Sequence, residues 1–492
     1  MKTFTNSIKK YLEVIITSIF LIPVSISYLI SPLNDDTRIY QGVASLTDYF
    51  GSFPANINNA WEIKPIANRG INYILYKIST LFTTITTPEY EFVIKLLSLI
   101  IVIIICYYFA SKFKHQYLFL LTTVCFIGSL NFVSLQAEWW ASLFSLISIA
   151  LFMTDKPSNH YLSGLVITIM FLFKGITILL ILPMICAIYL FKPDWFNRLK
   201  LGLVGSVLSL LFILTWNIFD KVVPDMLLSS QIAHVGYFSV DKLASFFLAN
   251  SIFTLFHIPI IICGLVASVY LFNKYMYNRD LFKVVILILM WITSISIVLI
   301  QSEFFIYHYF VLVIPSIISI ILICDLLKSN SIIKVSLIVA MILFLLMTSY
   351  WSIGATTENQ FWQRQDQIAI DVITNFTDIT NQTSILYLDP GNAPYYFRSN
   401  SSCRYISPLP FQRNSEEWDI SYTDAYKEEY NCIMNYDGKY IITASRDWII
   451  QNTTDGYNVS EKFKTEYKQV WDKGWNIYMN LNTYDILGRE VR

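Results

Sequence analysis

Charge is what this sequence has least of. Only 14% of its 492 residues are Asp, Glu, Lys or Arg, where a soluble domain carries about a quarter. Acids and bases balance at 35 each, so nothing points to nucleic acid as a partner. There is no G-x-x-x-x-G-K-[ST] and no G-x-G-x-x-G, which removes support for a soluble nucleotide-driven mechanism. No Cys/His spacing resembles a zinc site, and no internal repeat or low-complexity tract is visible. The apolar run after Lys2, Lys9 and Lys10 has no small-residue cleavage site, so the first segment is expected to be a retained helix.

What the sequence has instead is apolar mass. Hydrophobic residues make up 55% of the chain, and the mean hydropathy is +0.51. A spanning helix needs roughly 17–25 apolar residues. Eleven segments are candidates, the fifth and sixth of them short: 11–32, 90–111, 116–134, 138–154, 159–173, 175–191, 201–219, 248–272, 284–301, 306–325 and 335–353. The fifth and sixth run together and are split at Lys174-Gly175. With the N-terminus inside, one set of loops holds Lys112 and Lys114, Lys156, Lys192, Arg198 and Lys200, then Lys274, Arg279 and Lys283, then Lys328 and Lys334. The opposite loops carry acids and few bases. Positive charge marks the cytoplasmic side, which predicts a multi-pass protein of the cell membrane with an external C-terminus.

Two polar pieces fall outside. In the loop 33–88, Ile39, Val43, Leu46 and Phe50 recur at helical spacing and predict an amphipathic helix at the interface. Ile71, Ile74, Leu75 and Ile78 predict a second. The tail 354–492 mixes Trp, Tyr and charge, with strand-like runs S-I-L-Y-L and K-Y-I-I-T-A and a helix expected at Trp362 to Phe376. The fold class expected is therefore a polytopic all-α membrane bundle of about eleven helices, residues 1–353, carrying a small external α/β domain, residues 354–492. Of seven cysteines only Cys403 and Cys432 lie in the tail, where an oxidising space allows them to pair.

Charge clusters where this topology puts the outer ends of helices. S-P-L-N-D-D-T-R-I-Y follows the first apolar run and brings Asp35, Asp36 and Arg38 together. Lys64 and Arg69 lie in W-E-I-K-P-I-A-N-R-G, Glu138 opens the fourth segment, and Lys174 splits the fifth from the sixth. His308 and Tyr309 lie in Q-S-E-F-F-I-Y-H-Y-F. Each has an ordinary explanation: Asn34 or Asp35 caps a helix, Lys174 snorkels, and the aromatics belt the interface. Taken jointly, ionisable groups at membrane depth are costly and mark functional sites. Glycosyl transfer from a polyprenyl phosphate needs this mixture. A carboxylate takes the acceptor's proton, and cations hold the departing phosphate.

The same residues carry a family resemblance. Asp35-Asp36-Thr37-Arg38 with Tyr40 resembles the D-E-x-R-Y of the first external loop of GT-C glycosyltransferases, closest to the lipid A aminoarabinose transferases and protein O-mannosyltransferases. Glu62-Ile63-Lys64-Pro65 resembles their E-K-P with one residue inserted, and F-L-F-K-G-I around Lys174 resembles T-K-G-P. A-E-W-W-A-S-L-F resembles their fourth-helix segment, and Y-H-Y-F-V-L-V-I-P a late helix. Asp36 stands where the family usually has Glu. The resemblance implies Asp35 as catalytic acid–base residue. It implies Arg38, Lys64 and Lys174 as phosphate-binding or site-lining bases, with Asp36, Arg69, Glu138, His308 and Tyr309 around them. It implies a polyprenyl-phosphate-linked sugar as donor, and a glycan, lipid or protein hydroxyl as acceptor. No cofactor is indicated; a divalent metal is allowed but not indicated. A transporter or flippase of a lipid-linked saccharide is the alternative, but the charges cluster at one face and no broken-helix pair is visible.

Overall fold

The computed structural model describes residues 19, 21–31, 33–49, 66–113, 117–128, 134–173, 175–215, 258–300, 306–326, 379, 383–388, 393–398, 400–403, 423–443, 454–471 and 476–480. These divide into two units. One draws its described residues from Met1–Pro32, Phe92–Asp220 and Val235–Glu358; the other from Leu33–Glu91, Lys221–His234 and Asn359–Arg492.

The first unit is helical and apolar. Its helices are α1 (Leu21–Ile30), most of α4 (Pro88–Ala110), α5 (Tyr117–Ile127), α6 (Ala137–Met153), α7 (Pro157–Phe173), α8 (Ile181–Phe191), α9 (Trp195–Thr215), α10 (Ile258–Tyr277), α11 (Leu281–Ile300) and α12 (Val313–Leu326). Four described stretches are long and apolar enough to cross a membrane: Pro88–Ala110, Trp195–Ile213, Ile260–Tyr277 and Leu281–Leu299. Helix α7 ends at Phe173, and a 3₁₀ turn, Gly175–Leu180, precedes α8. Pro183 falls in the first turn of α8, where its missing N–H costs nothing. Helix α9 starts at Trp195, six residues before the apolar segment at 201. Asp194 stands just before it and binds Arg198 Nε at 2.7 Å, so a polar first turn is satisfied within the fold. The eleventh segment, 335–353, and the helix expected at 362–376 lie outside the described residues.

Small and hydroxylated residues join these helices, as packing between apolar helices requires. Gly164 of α7 meets the backbone of Gly202, Gly205 and Ser206 of α9, leaving no room for a Cβ. Ser206 Oγ donates to Gly164 O at 3.0 Å across that seam. At one end of it, Arg198 donates to the carbonyls of Phe152 and Thr154 and pairs with Asp155 at 2.8 Å. That contact, with Lys192 beside it, holds the Asp155 carboxyl below its usual range. Trp291 Nε1 donates to Ser268 Oγ at 2.7 Å, and Ser268 Oγ to Ser319 Oγ at 2.8 Å, tying α10, α11 and α12 together.

The second unit combines α2 (Asp35–Tyr49) and α3 (Ile66–Ser79) with a mixed sheet from the tail. The spacing of Ile39, Val43 and Leu46 forms an apolar face on α2, with Val43 and Leu46 buried; Phe50 lies outside the described residues. On α3, Leu75 turns in while Ile74 is exposed. The sheet has β1 (Ser384–Tyr387), β2 (Asn400–Ser401), β3 (Tyr440–Thr443), β4 (Tyr467–Trp471) and β5 (Asn476–Asn480). Its order is β2-β1-β3-β5-β4, with β1 parallel to β2 and β3, and β5 antiparallel to β3 and β4. Both strand-like runs of the tail fall in it. Strand β3 is buried at all four positions, as a central strand with both faces covered should be. Helices α13 (Ala393–Phe397), α14 (Asp424–Met434) and α15 (Thr454–Glu466) accompany it. Leu386, Ile441, Tyr426, Ile433, Val459 and Phe463 form the core, and Cys403 is bonded to Cys432 of α14.

Candidate functional site

Helix α2 opens directly on the paired aspartates. Asn34 Oδ1 accepts the Thr37 N–H at 2.6 Å, which is an N-cap. Of the two side chains that the sequence offered as cap, Asn34 takes that place. Asp35 is the first helical residue, and Asp36 follows it half-buried. The helix N-terminus favours negative charge at both positions.

One turn on, Arg38 is buried and its Nε lies 3.0 Å from Glu91 Oε1. Glu91 belongs to the first turn of α4. Its other oxygen, Oε2, accepts the Leu33 N–H at 2.8 Å. The Tyr395 hydroxyl of α13 donates to Oε1 at 3.3 Å, and the Tyr396 ring centroid lies 5.8 Å from the Arg38 guanidinium carbon. Burial works against the Arg38 charge, but Glu91 together with Tyr396 and Tyr395 outweighs it and holds the guanidinium charged. Burial, reinforced by the Glu91 carboxylate, pushes the Tyr395 phenol well above its usual range, so it remains a proton donor. The approach of α13 depends on Gly42. A Cβ there would lie 2.8 Å from both Pro394 C and Tyr395 N.

A buried polar ladder joins α2 to its neighbours. Tyr90 Oη donates to Gln41 Oε1 at 2.7 Å, Gln41 Nε2 to Asn72 Oδ1 at 2.8 Å, and Asn72 Nδ2 to Asn68 O at 2.8 Å. Buried polar groups need such partners, and the ladder fixes α3 against α2. Arg69, next to Asn68, is buried on α3. Asp36, Arg38 and Arg69 thus lie on two packed helices of one unit.

The remaining expected site residues belong to the other unit or fall outside the described residues. Glu138 is buried in the first turn of α6, and Tyr309, half-buried, lies with His308 in a 3₁₀ turn, Ile306–Leu312. Lys64 and Lys174 lie outside the described residues. Among the described residues, no three of His, Cys, Asp and Glu gather as metal ligands.

Sequence reasoning missed Glu91, and it also missed Lys95. The latter is fully buried, donates to Ser31 Oγ at 3.3 Å and sits 4.4 Å from the Tyr28 ring centroid. A signal for both was present: E-F-V-I-K places two ionisable residues at i and i+4 inside an apolar helix.

Among solved structures, ArnT from Cupriavidus metallidurans in the apo state matches over 96% of this chain and 99% of that one, with a TM-score of 0.55 at 13% identity. The chain has the ArnT fold. At this identity the likeness is one of fold alone. ArnT bound to undecaprenyl phosphate matches with a TM-score of 0.47 at 12% identity, covering 96% of this chain and 98% of that one. The archaeal oligosaccharyltransferase AglB from Archaeoglobus fulgidus matches with 0.46 at 11%, covering 96% and 74%. No protein-family model and no curated protein matches the sequence. Within the ArnT fold of this chain, D-D-T-R opens α2, the position described above.

Proposed function

We propose that this protein is an integral-membrane inverting glycosyltransferase. It moves a sugar from a polyprenyl-phosphate donor to a hydroxyl on the external side of the cell membrane. The observation that carries the reading is a pair of aspartates at a capped helix N-terminus, with a buried arginine one turn behind, on the ArnT fold. In the proposed reaction the acceptor oxygen attacks the anomeric carbon as Asp35 takes its proton. The bond from that carbon to the phosphate oxygen breaks, and polyprenyl phosphate leaves with the electron pair. Arg38, Lys64 and Lys174 supply positive charge for the departing phosphate, with Arg69, Glu138, His308 and Tyr309 lining the site.

The acceptor is a lipid-linked glycan, a glycolipid or a protein hydroxyl. Trp139-Trp140 is followed by Ala-Ser rather than an acid, which disfavours transfer of a preassembled glycan to Asn. Eleven spans with the tail outside complete the proposed topology, and the Cys403–Cys432 bond supports an oxidising surrounding for the tail. The flippase alternative draws no support from this arrangement.

The test is Asp35→Asn in membranes supplied with labelled polyprenyl-phosphate sugar. Loss of the base is expected to lower turnover by about 10²–10⁴-fold. Wild-type turnover at normal expression refutes the assignment.

A further inference from the structure

We propose that Glu91 is a positioning residue: its carboxylate grips the chain on both sides of the aspartate pair and holds in place the backbone turn that carries the pair. The inference rests on the reading of Asp35 as base. Three donors from two segments converge on this one carboxylate. Oε2 takes the backbone N–H of Leu33, two residues before Asp35. Oε1 takes Arg38 Nε, three residues after it. Oε1 also takes the Tyr395 hydroxyl, 304 positions away along the chain. Leu33, Arg38, Glu91 and Tyr395 are all buried.

The clamp leaves the turn 33–38 little freedom. Its entry is held by Glu91 Oε2, its middle by the Asn34 cap on Thr37 N–H, and its exit by Glu91 Oε1. A general base has to sit within hydrogen-bond reach of the proton it removes, and small displacements of reacting groups are expensive in rate. Stability alone gives little reason for the arrangement, because a buried ion pair is commonly no better than an apolar pair of the same volume. A carboxylate that is simultaneously the counter-ion of Arg38 and a backbone anchor makes sense as a device for geometry. Through Tyr395, the same carboxylate ties α13 of the tail to the turn.

Glu91→Gln keeps the shape but presents an NH₂ to one of the three donors and removes the negative charge. It is expected to lower kcat by about 10²-fold. The loss is read per mole of folded protein. A merely structural role reduces the amount of folded protein and leaves kcat per folded molecule where it was. Glu91→Asp, which keeps the charge but shortens the reach, is expected to lower kcat per folded molecule as well. Wild-type kcat in Glu91→Gln, with Asp35→Asn inactive, overturns the positioning role and leaves the base assignment standing. Full activity in Asp35→Asn overturns both. If Glu91→Gln does not fold, Tyr395→Phe decides: it removes one donor of the three, and an unchanged kcat overturns the proposal.

Discussion

Gly42→Ala is a small change with a calculable consequence. The added methyl would sit 2.8 Å from Pro394 C and Tyr395 N and 3.0 Å from Pro394 O. Comfortable carbon contacts lie at about 3.5–4.0 Å, so the methyl is too close by about 0.7 Å, and the atoms it meets are backbone with no rotamer to escape into. Helix α13 has to back away by that amount. The Tyr395 hydroxyl starts 3.3 Å from Glu91, and a retreat of this size carries it beyond hydrogen-bonding range. Overpacking costs about 1–3 kcal/mol, and an orphaned buried donor about 1–3 kcal/mol more. A total of about 2–6 kcal/mol is expected as a lower unfolding midpoint of the purified protein in detergent, together with reduced turnover in the proposed transfer reaction. The route can be checked by a double-mutant cycle with Tyr395→Phe. If Gly42→Ala acts by lifting that hydroxyl from Glu91, adding Tyr395→Phe costs little more. Simple additivity, or an unchanged midpoint in Gly42→Ala, refutes the reasoning.

Two further outcomes follow from the tail. The Cys403–Cys432 bond closes a loop spanning 29 positions, for which the chain-entropy model gives about 3–4 kcal/mol. Cys403→Ser with Cys432→Ser is therefore expected to lower the tail's unfolding midpoint and speed its proteolysis, and unchanged proteolysis refutes this. Glu429 of α14 is buried, and neither carboxyl oxygen has a hydrogen-bond partner among the described residues. Burial, and then Glu428, push its carboxyl well above the usual range. A raised value in the folded state means that stability is full below the unfolded value of about 4.3 and is lost as pH rises toward the folded one. Glu429→Gln is thus expected to stabilise the tail at neutral and alkaline pH and to lose that advantage near pH 4. Equal gains at all pH values contradict the assignment.

Much of the helical layout was legible because its cause is local. Ile39, Val43 and Leu46 announce α2 at a period that only a helix explains. A division of the run 159–191 is visible because that run is too long for one span, and α7 ends at Phe173. Limits set by hydropathy were less accurate where polar side chains are satisfied within the fold. Arg198 looks like a loop residue, yet Asp194 and Asp155 hold it in the first turn of α9. The D-D-T-R cluster stood out as a candidate site, but its cap was ambiguous. Asn34 and Asp35 both have a suitable oxygen, and the sequence does not say which one meets Thr37 N–H; in the fold Asn34 does. Glu91 escaped notice because it was counted as the polar end of an apolar span. The pairing of Tyr395 and Tyr396 with Arg38 has no local signature at all. It follows from how α13 docks on Gly42, a contact between segments some 350 positions apart.

The glycine seam between α7 and α9 has a mechanical consequence. Leucine and isoleucine on other helix faces exchange a protein neighbour for a lipid chain at little cost. Gly164, Gly202 and Gly205 have no such alternative, since what they offer is naked main chain, and lipid fills that cleft poorly. With Arg198 riveting one end to the carbonyls of Phe152 and Thr154, the two helices behave as one stiff plank. Under the proposed function, any breathing that admits the donor's isoprenoid has to occur along other edges of the apolar assembly.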